Sequence, residues 1–129
     1  MISFGVSPNI ANIGSVTIYN IWFVLVNKLG TDSFFNINFP SQIKLTLGSS
    51  VCTLTNSGIV SSCLVDSSSS IKVDLDSTIN SGVNMTVTVT FVVNPLTTTP
   101  TDSFIIRTYF MDNLSLVDQL TTGLIVNPI

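Results

Sequence analysis

The sequence predicts an all-β protein, a two-sheet antiparallel β-sandwich of immunoglobulin-like kind with about eight or nine strands. Three observations support this fold class. Short segments alternate between apolar and polar residues, turn-forming residues recur about every ten positions, and no 3.6-residue periodicity extends over ten positions. Because 129 residues is a common size for one domain, we assign residues 1–129 to a single domain.

The clearest strand covers residues 83–93, and the other elements are expected to be arranged around it. Asn94-Pro95 ends it, because proline has no N–H to donate to a neighbouring strand. One face carries Asn84 and three threonines, as expected for a strand that buries only its other face. The predicted buried face consists of Val83, Met85, Val87, Val89, Phe91 and Val93.

The N-terminal part is predicted to contain a short strand, residues 1–6, and a long strand, residues 15–29. The long strand is apolar on both faces, unlike a strand with one solvated face. One face carries Tyr19, Ile21, Phe23 and Leu25, and the other carries Val16, Ile18, Trp22, Val24 and Val26. The second face, with Trp22, Val24 and Val26 as candidate interface residues, must be covered either by another subunit or by the terminal strands of the same domain.

Further strands are predicted between the long strand and the central one. Residues 35–39 and 43–47 are short and alternating, as is a later strand at residues 71–76. Residues 51–55 and 59–65 are expected to form a tight hairpin, because Asn and Gly in the intervening Asn56-Ser57-Gly58 tolerate positive φ.

The sequence contains two cysteines, Cys52 and Cys63, which we predict to form a disulfide. Counting outward from the predicted hairpin turn places them opposite each other, at the Cβ separation that a disulfide needs. A zinc site is disfavoured because zinc usually needs four ligands, and the sequence has neither histidine nor a third cysteine.

The C-terminal part begins with residues 96–102, a threonine- and proline-rich connection that is expected to cross between the sheets. Strands are predicted at residues 104–111 and 114–119, and the strand-like residues 124–129 end the chain. Because both chain ends are apolar, we expect residues 1–6 and 124–129 to be able to pair with neighbouring subunits or modules.

The charge pattern excludes several classes of partner. Four Lys and Arg residues stand against seven Asp, for a net charge of −3, so the chain lacks the basic cluster that nucleic acid or an anionic membrane surface requires. Its apolar runs are far shorter than the roughly 20 residues of a membrane-spanning helix, so no membrane insertion is expected. A polar surface of Ser, Thr and Asn suits an extracellular β-protein.

Catalytic chemistry has little support in the sequence. Without histidine, no base is available to activate the abundant serines and threonines, so we predict neither an enzyme nor a cofactor. Asp74 and Asp76, together with Asp66 or Asp112, have the oxygen ligands that calcium prefers. Solvated turn charges are the favoured interpretation of these residues, and no metal site is assigned.

Five motifs follow one another along nearly the whole chain. They are Tyr19-x-Ile21-x-Phe23-x-Leu25, Ile37-Asn38-Phe39-Pro40-Ser41, the pair Cys52 and Cys63, Thr86-Val87-Thr88-Val89-Thr90 leading to Asn94-Pro95, and Thr97-Thr98-Thr99-Pro100-Thr101-Asp102-Ser103-Phe104. Their order resembles the repeated β-sandwich modules of large cell-surface proteins of ciliates and other protists. That resemblance implies an extracellular, often tandem, structural or adhesive role without known catalytic residues.

Two functions therefore remain open. The first is a structural subunit or module of an extracellular surface layer, fibre or filament, with copies of itself or flanking modules as partners. The second is a cell-surface adhesion or carbohydrate-binding module that acts through its loops. Asn84 and Asn113 begin the two N-x-S/T sequons and are candidate sites for N-linked glycans.

Overall fold

The computed structural model describes residues 3–55, 61–110 and 116–129. Within these ranges the chain forms ten strands in two five-stranded antiparallel sheets, and no helix long and apolar enough to span a membrane occurs there. The prediction of an all-β two-sheet sandwich is confirmed, with slightly more strands than expected. The strands are β1 Ser3–Pro8, β2 Val16–Val24, β3 Phe34–Asn38, β4 Lys44–Leu45, β5 Cys52–Thr55, β6 Ser61–Val65, β7 Ser70–Leu75, β8 Asn84–Val93, β9 Ile105–Tyr109 and β10 Leu116–Leu120.

Sheet 1 is organised around β8, as the sequence indicates. Its order is β1-β2-β8, and both β4 and β5 pair with the other edge of β8. Sheet 2 has the order β10-β9-β3-β7-β6. Residues 96–102 connect β8 in sheet 1 to β9 in sheet 2, so the predicted crossing between sheets is confirmed.

The core lies between the sheets and is rich in aromatic rings. The side chains of β2 alternate, so that Tyr19 and Phe23 are fully buried while their neighbours point outward. Phe23 meets Phe35 of sheet 2 edge to face, with ring centroids 5.2 Å apart. Phe39 and Phe104 lie 4.9 Å apart, and the ring of Tyr19 packs beside both.

The predicted alternation of β8 fails at Phe91. Thr17 pairs with Val92 and Tyr19 pairs with Val89, so two residues of β8 oppose the single residue Ile18. This is a β-bulge, and it moves Phe91 to the outside and Val92 into the core. The prediction that Phe91 and Val93 face the core is therefore wrong, because the inserted residue reverses the alternation.

The predicted hairpin of residues 51–55 and 59–65 is also wrong. β5 pairs with β8 in sheet 1, whereas β6 pairs with β7 in sheet 2. The predicted turn residues, Asn56 to Gly58, lie outside the described residues. A hairpin forms instead between β6 and β7, around a serine turn in which Ser67 and Ser70 hydroxyls lie 2.8 Å apart.

The disulfide between Cys52 and Cys63 is nevertheless confirmed, with a Cα–Cα distance of 5.7 Å. It joins β5 to β6 and so links the two sheets covalently, instead of closing a ladder within one sheet. The residues meet because the sheets pack against each other at this point.

Residues 3–8 and 124–129, at the two ends of the described chain, both pack into their own domain. β1 pairs with β2 along its whole length. In the C-terminal segment, Leu124 and Val126 are buried, and the carbonyl of Leu124 accepts a hydrogen bond from the Phe104 N–H at 2.8 Å. The Ile129 N–H donates to the Ala11 carbonyl at 3.0 Å. The ends therefore complete the sandwich itself.

Asn94 stabilises one end of the sandwich through three side-chain hydrogen bonds. Its amide Nδ2 donates to the carbonyls of Ile10 and Asn12, at 2.7 and 2.8 Å, and its Oδ1 accepts from the Tyr19 hydroxyl at 2.5 Å. The side chain is almost fully buried, so these bonds form away from water. The Asn94 side chain thus bonds to the loop between β1 and β2, and it also accepts the hydrogen bond of the buried Tyr19 hydroxyl.

The Tyr19 hydroxyl gives a pH-dependent prediction. Burial raises the pKa of this group from 10.0 to about 12. The unfolded chain, with a tyrosine pKa of about 10, then releases a proton that the native state keeps, so the stability contribution is complete below pH 10 and is lost as the pH rises towards 12. We expect the free energy of unfolding in urea to fall more steeply between pH 9.5 and 11.5 for the wild type than for Tyr19→Phe. Equal slopes in the two proteins would contradict this assignment.

Candidate assembly face

The outward side of sheet 1 is a broad surface with hardly any charge. Among the described residues, the strands of this sheet carry one charged side chain, Lys44 of the short β4. We call this surface the sheet 1 face. It consists of Ser3, Gly5 and Ser7 of β1, Val16, Ile18, Asn20, Trp22 and Val24 of β2, Lys44 of β4, Thr53 and Thr55 of β5, and Asn84, Thr86, Thr88, Thr90, Phe91 and Val93 of β8.

The outward side of sheet 2 is different in character. It carries Lys72, which lies 3.7 Å from Asp74 and 4.6 Å from the ring centroid of Phe34. Arg107 is on the same side and donates from Nε to the Gln119 side chain at 3.4 Å. Packing anything against sheet 2 would therefore remove water from several charges, a cost that the sheet 1 face does not impose.

Trp22 lies on the sheet 1 face and is half buried. It is directly opposite Gly5 of β1, and a Cβ placed on that glycine would overlap the indole ring. The indole therefore covers the backbone of the edge strand, a contact that only glycine at this position permits. Trp22 thus contributes to the stability of its own sheet, in addition to forming part of the surface.

Three threonines of the sheet 1 face, Thr55, Thr88 and Thr90, donate hydrogen bonds from their hydroxyls to other groups of the protein. Thr53 and Thr88 are directly paired across β5 and β8. The Thr88 hydroxyl donates to the Asn20 side chain at 2.9 Å, and the Thr55 hydroxyl donates to the Thr86 carbonyl at 3.2 Å. Because these donors are already bonded, covering the face costs less than burying unpaired hydroxyls would.

The most apolar part of the face surrounds the β-bulge. Val16 and Ile18 of β2 and Phe91 of β8 line a shallow depression of about 280 Å³, together with Thr17 and Thr90. Phe91 is 56% exposed, Val16 55% and Ile18 36%. Since these side chains are adjacent, they form a patch and not a set of scattered apolar residues.

The bulge itself is held in place by the segment between β4 and β5. Phe91 has φ = 52°, in the left-handed region. Its carbonyl accepts a hydrogen bond from the Ser50 hydroxyl at 2.9 Å, and Ser50 is itself nearly buried. The surrounding structure therefore fixes a backbone conformation that a phenylalanine rarely adopts.

The predicted site residues are only partly brought together. Trp22 and Val24 share the sheet 1 face with Asn84, which pairs with Val24 at the start of β8. Val26 lies beyond the end of β2, in the connection to β3, and is 48% exposed. Asn113 lies outside the described residues. The alternation in the sequence predicts that Phe91 lies in the core, and the pattern contains no signal of the bulge that exposes it.

Among the described residues no metal site is found, and the sheet 2 aromatics Tyr109 and Phe34 contact each other. No group of three or more metal-binding side chains occurs in the described part of the chain, and Asp74 is instead paired with Lys72. Tyr109 stacks on Phe34 with centroids 4.9 Å apart, and Lys72 lies over the Phe34 ring. Both aromatic side chains are therefore engaged within the protein.

The sequence matches no protein-family model and no curated protein.

Proposed function

We propose that this chain is a non-catalytic structural subunit or module of an extracellular surface layer, fibre or filament. It assembles by packing the sheet 1 face against a neighbouring copy or a flanking module. The observation that carries this proposal is the contrast between the two outward sides of the sandwich, of which the sheet 1 face is uncharged apart from Lys44 and contains an exposed apolar patch.

The energetics support burial of this face. Removing apolar surface from water is favourable by roughly 25 cal/mol per Å², so covering Val16, Ile18 and Phe91 contributes several kcal/mol before the cost of association. The opposing cost is reduced because the hydroxyls of Thr55, Thr88 and Thr90 on this face already have partners. Adjacent exposed apolar side chains of this kind are a feature of interaction surfaces, in contrast to single scattered ones.

The proposed extracellular location rests on the disulfide and the composition. The bond between Cys52 and Cys63 is of a kind that persists in oxidising compartments. The polar surface is dominated by Ser, Thr and Asn, with 9% charged residues in the sequence. The non-catalytic role is supported by the absence of histidine from the sequence.

N-linked glycosylation at Asn84 would compete with this assembly. Asn84 is exposed and lies on the sheet 1 face beside Val24. A glycan there would cover the end of the face opposite the bulge and hold a neighbouring copy away. We therefore propose that assembled material carries no glycan on Asn84.

Charge insertion tests the proposed function. The purified chain is expected to self-associate at micromolar concentration in sedimentation velocity, and Ile18→Lys is expected to weaken this at least about tenfold, because it places an unpaired charge in the interface. Leu64→Lys is the matched control, since Leu64 is a 58% exposed leucine on the outward side of sheet 2. A wild type that stays monomeric, or equal weakening by both variants, would refute the proposal.

A further inference from the structure

We infer that the sheet 1 face pairs with the same face of a second copy, and that Phe91 is the anchor of this contact. In this arrangement Phe91 of each copy enters the depression between Val16 and Ile18 of the other, so the contact is two-fold symmetric. The inference rests on the proposed function and specifies its partner surface.

The charge distribution selects the second copy as the occupant. Each copy carries a net charge of −3, so the contact that least opposes association is the one with the fewest charges. Packing the sheet 1 face against the outward side of sheet 2 would desolvate Lys72, Asp74 and Arg107 without supplying any partner for them. Pairing two sheet 1 faces avoids this cost, because each is uncharged except for Lys44 at its edge.

The conformation of Phe91 is costly in an isolated domain. A positive φ suits glycine or asparagine, whereas a bulky residue such as Phe91 rarely adopts it because its Cβ is crowded by the backbone. The bulge also places the ring in water, where it gains little from burial. A residue that opposes the stability of its own fold in two ways is expected to act elsewhere, and an exposed aromatic side chain on a face with a single charge is a typical interface anchor.

The size of the face is sufficient for a specific contact. β2 contains nine residues and β8 ten, so the face is about 30 Å long, and four neighbouring strands make it about 19 Å wide. The resulting flat area, on the order of 600 Å², approaches the roughly 800 Å² per partner of standard protein interfaces once the relief of the side chains is included.

Replacing Phe91 by asparagine separates association from stability. Phe91→Asn is expected to raise the dissociation constant of the wild-type assembly at least about tenfold in sedimentation velocity. Asparagine tolerates the positive φ at this position. The thermal midpoint of the Phe91→Asn variant is therefore expected to equal or exceed that of the wild type, when both are measured at a concentration at which they are monomeric. Leu64→Asn, the control on sheet 2, is expected to leave the dissociation constant unchanged.

The symmetry of the contact is tested by charge complementation. Ile18→Lys and Ile18→Asp are each expected to repel their own copies across a two-fold contact, and an equimolar mixture is expected to associate at least about tenfold more tightly than either variant alone. A mixture no tighter than its components would overturn the same-face arrangement.

Self-association of the chain and the anchor role of Phe91 are refuted by different results. Self-association of the wild type that Phe91→Asn does not weaken would leave the proposed function standing and reject Phe91 as the anchor. A wild type that remains monomeric would reject both.

Discussion

Replacing Asn94 by alanine is expected to lower the free energy of unfolding by about 3 kcal/mol and the thermal midpoint by about 10 °C. The substitution removes three side-chain hydrogen bonds at once, to the Ile10 and Asn12 carbonyls and from the Tyr19 hydroxyl. The Tyr19 hydroxyl is then buried without its partner, and the loop between β1 and β2 keeps only its backbone hydrogen bonds to the end of β8. Urea unfolding at pH 7, followed by circular dichroism, measures the loss.

Asn20→Ala is the matched control for this substitution. Asn20 also bonds to another side chain, accepting from the Thr88 hydroxyl at 2.9 Å, but it lies on the half-exposed sheet 1 face. Water replaces its lost partner, so we expect a change below about 1 kcal/mol. If the two alanine variants were equally stable, burial of the Asn94 amide would not be the source of the effect.

Removing the disulfide is expected to destabilise the domain by about 3 kcal/mol. Cys52 and Cys63 are separated by 11 positions, and closing a loop of this length restricts the unfolded chain by about that amount in the chain-entropy treatment. The double variant Cys52→Ala/Cys63→Ala is the appropriate test, since it leaves no free thiol. Equilibrium unfolding of the oxidised wild type and of this variant gives the difference directly.

A reducing agent supplies the control for the disulfide. Dithiothreitol is expected to lower the stability of the wild type towards that of the double variant and to leave the variant unchanged. Loss of stability in the variant as well would point to an effect of the reductant unrelated to this bond. A wild type with two alkylatable thiols before reduction would show that the bond is absent in solution.

Periodicity predicted most of the fold because most strands bury one face and solvate the other. The inner residues of β2 and the first part of β8 follow the alternation as expected, from Met85 to Thr90. The alternation of Phe91 and Val93 continues the same pattern in the sequence, so nothing there marks the bulge. It arises from tertiary structure, where Ser50 bonds to the Phe91 carbonyl.

The predicted disulfide is present, but the hairpin from which it was predicted is not. A turn-forming segment between two apolar stretches favours a hairpin, yet β5 and β6 separate into different sheets because each has a longer partner, β8 and β7 respectively. Facing sheets bring Cys52 and Cys63 together as effectively as paired strands would. The role of Asn94 was not predicted either, since its position before proline indicated only the end of a strand.

The pairing of β2 with β8 determines when this chain is able to fold. Asn20 and Thr88 are paired neighbours in sheet 1, although 68 residues separate them in the sequence. Such distant pairing slows folding, typically to milliseconds or seconds, because the closure of a long loop precedes any favourable contact. During synthesis, β2 emerges long before its partner strand β8, and Tyr19 remains incompletely covered until Phe104, which packs beside its ring, has been made. Nascent chains are therefore most prone to aggregate during this interval, when a chaperone that binds extended apolar segments would have its greatest effect.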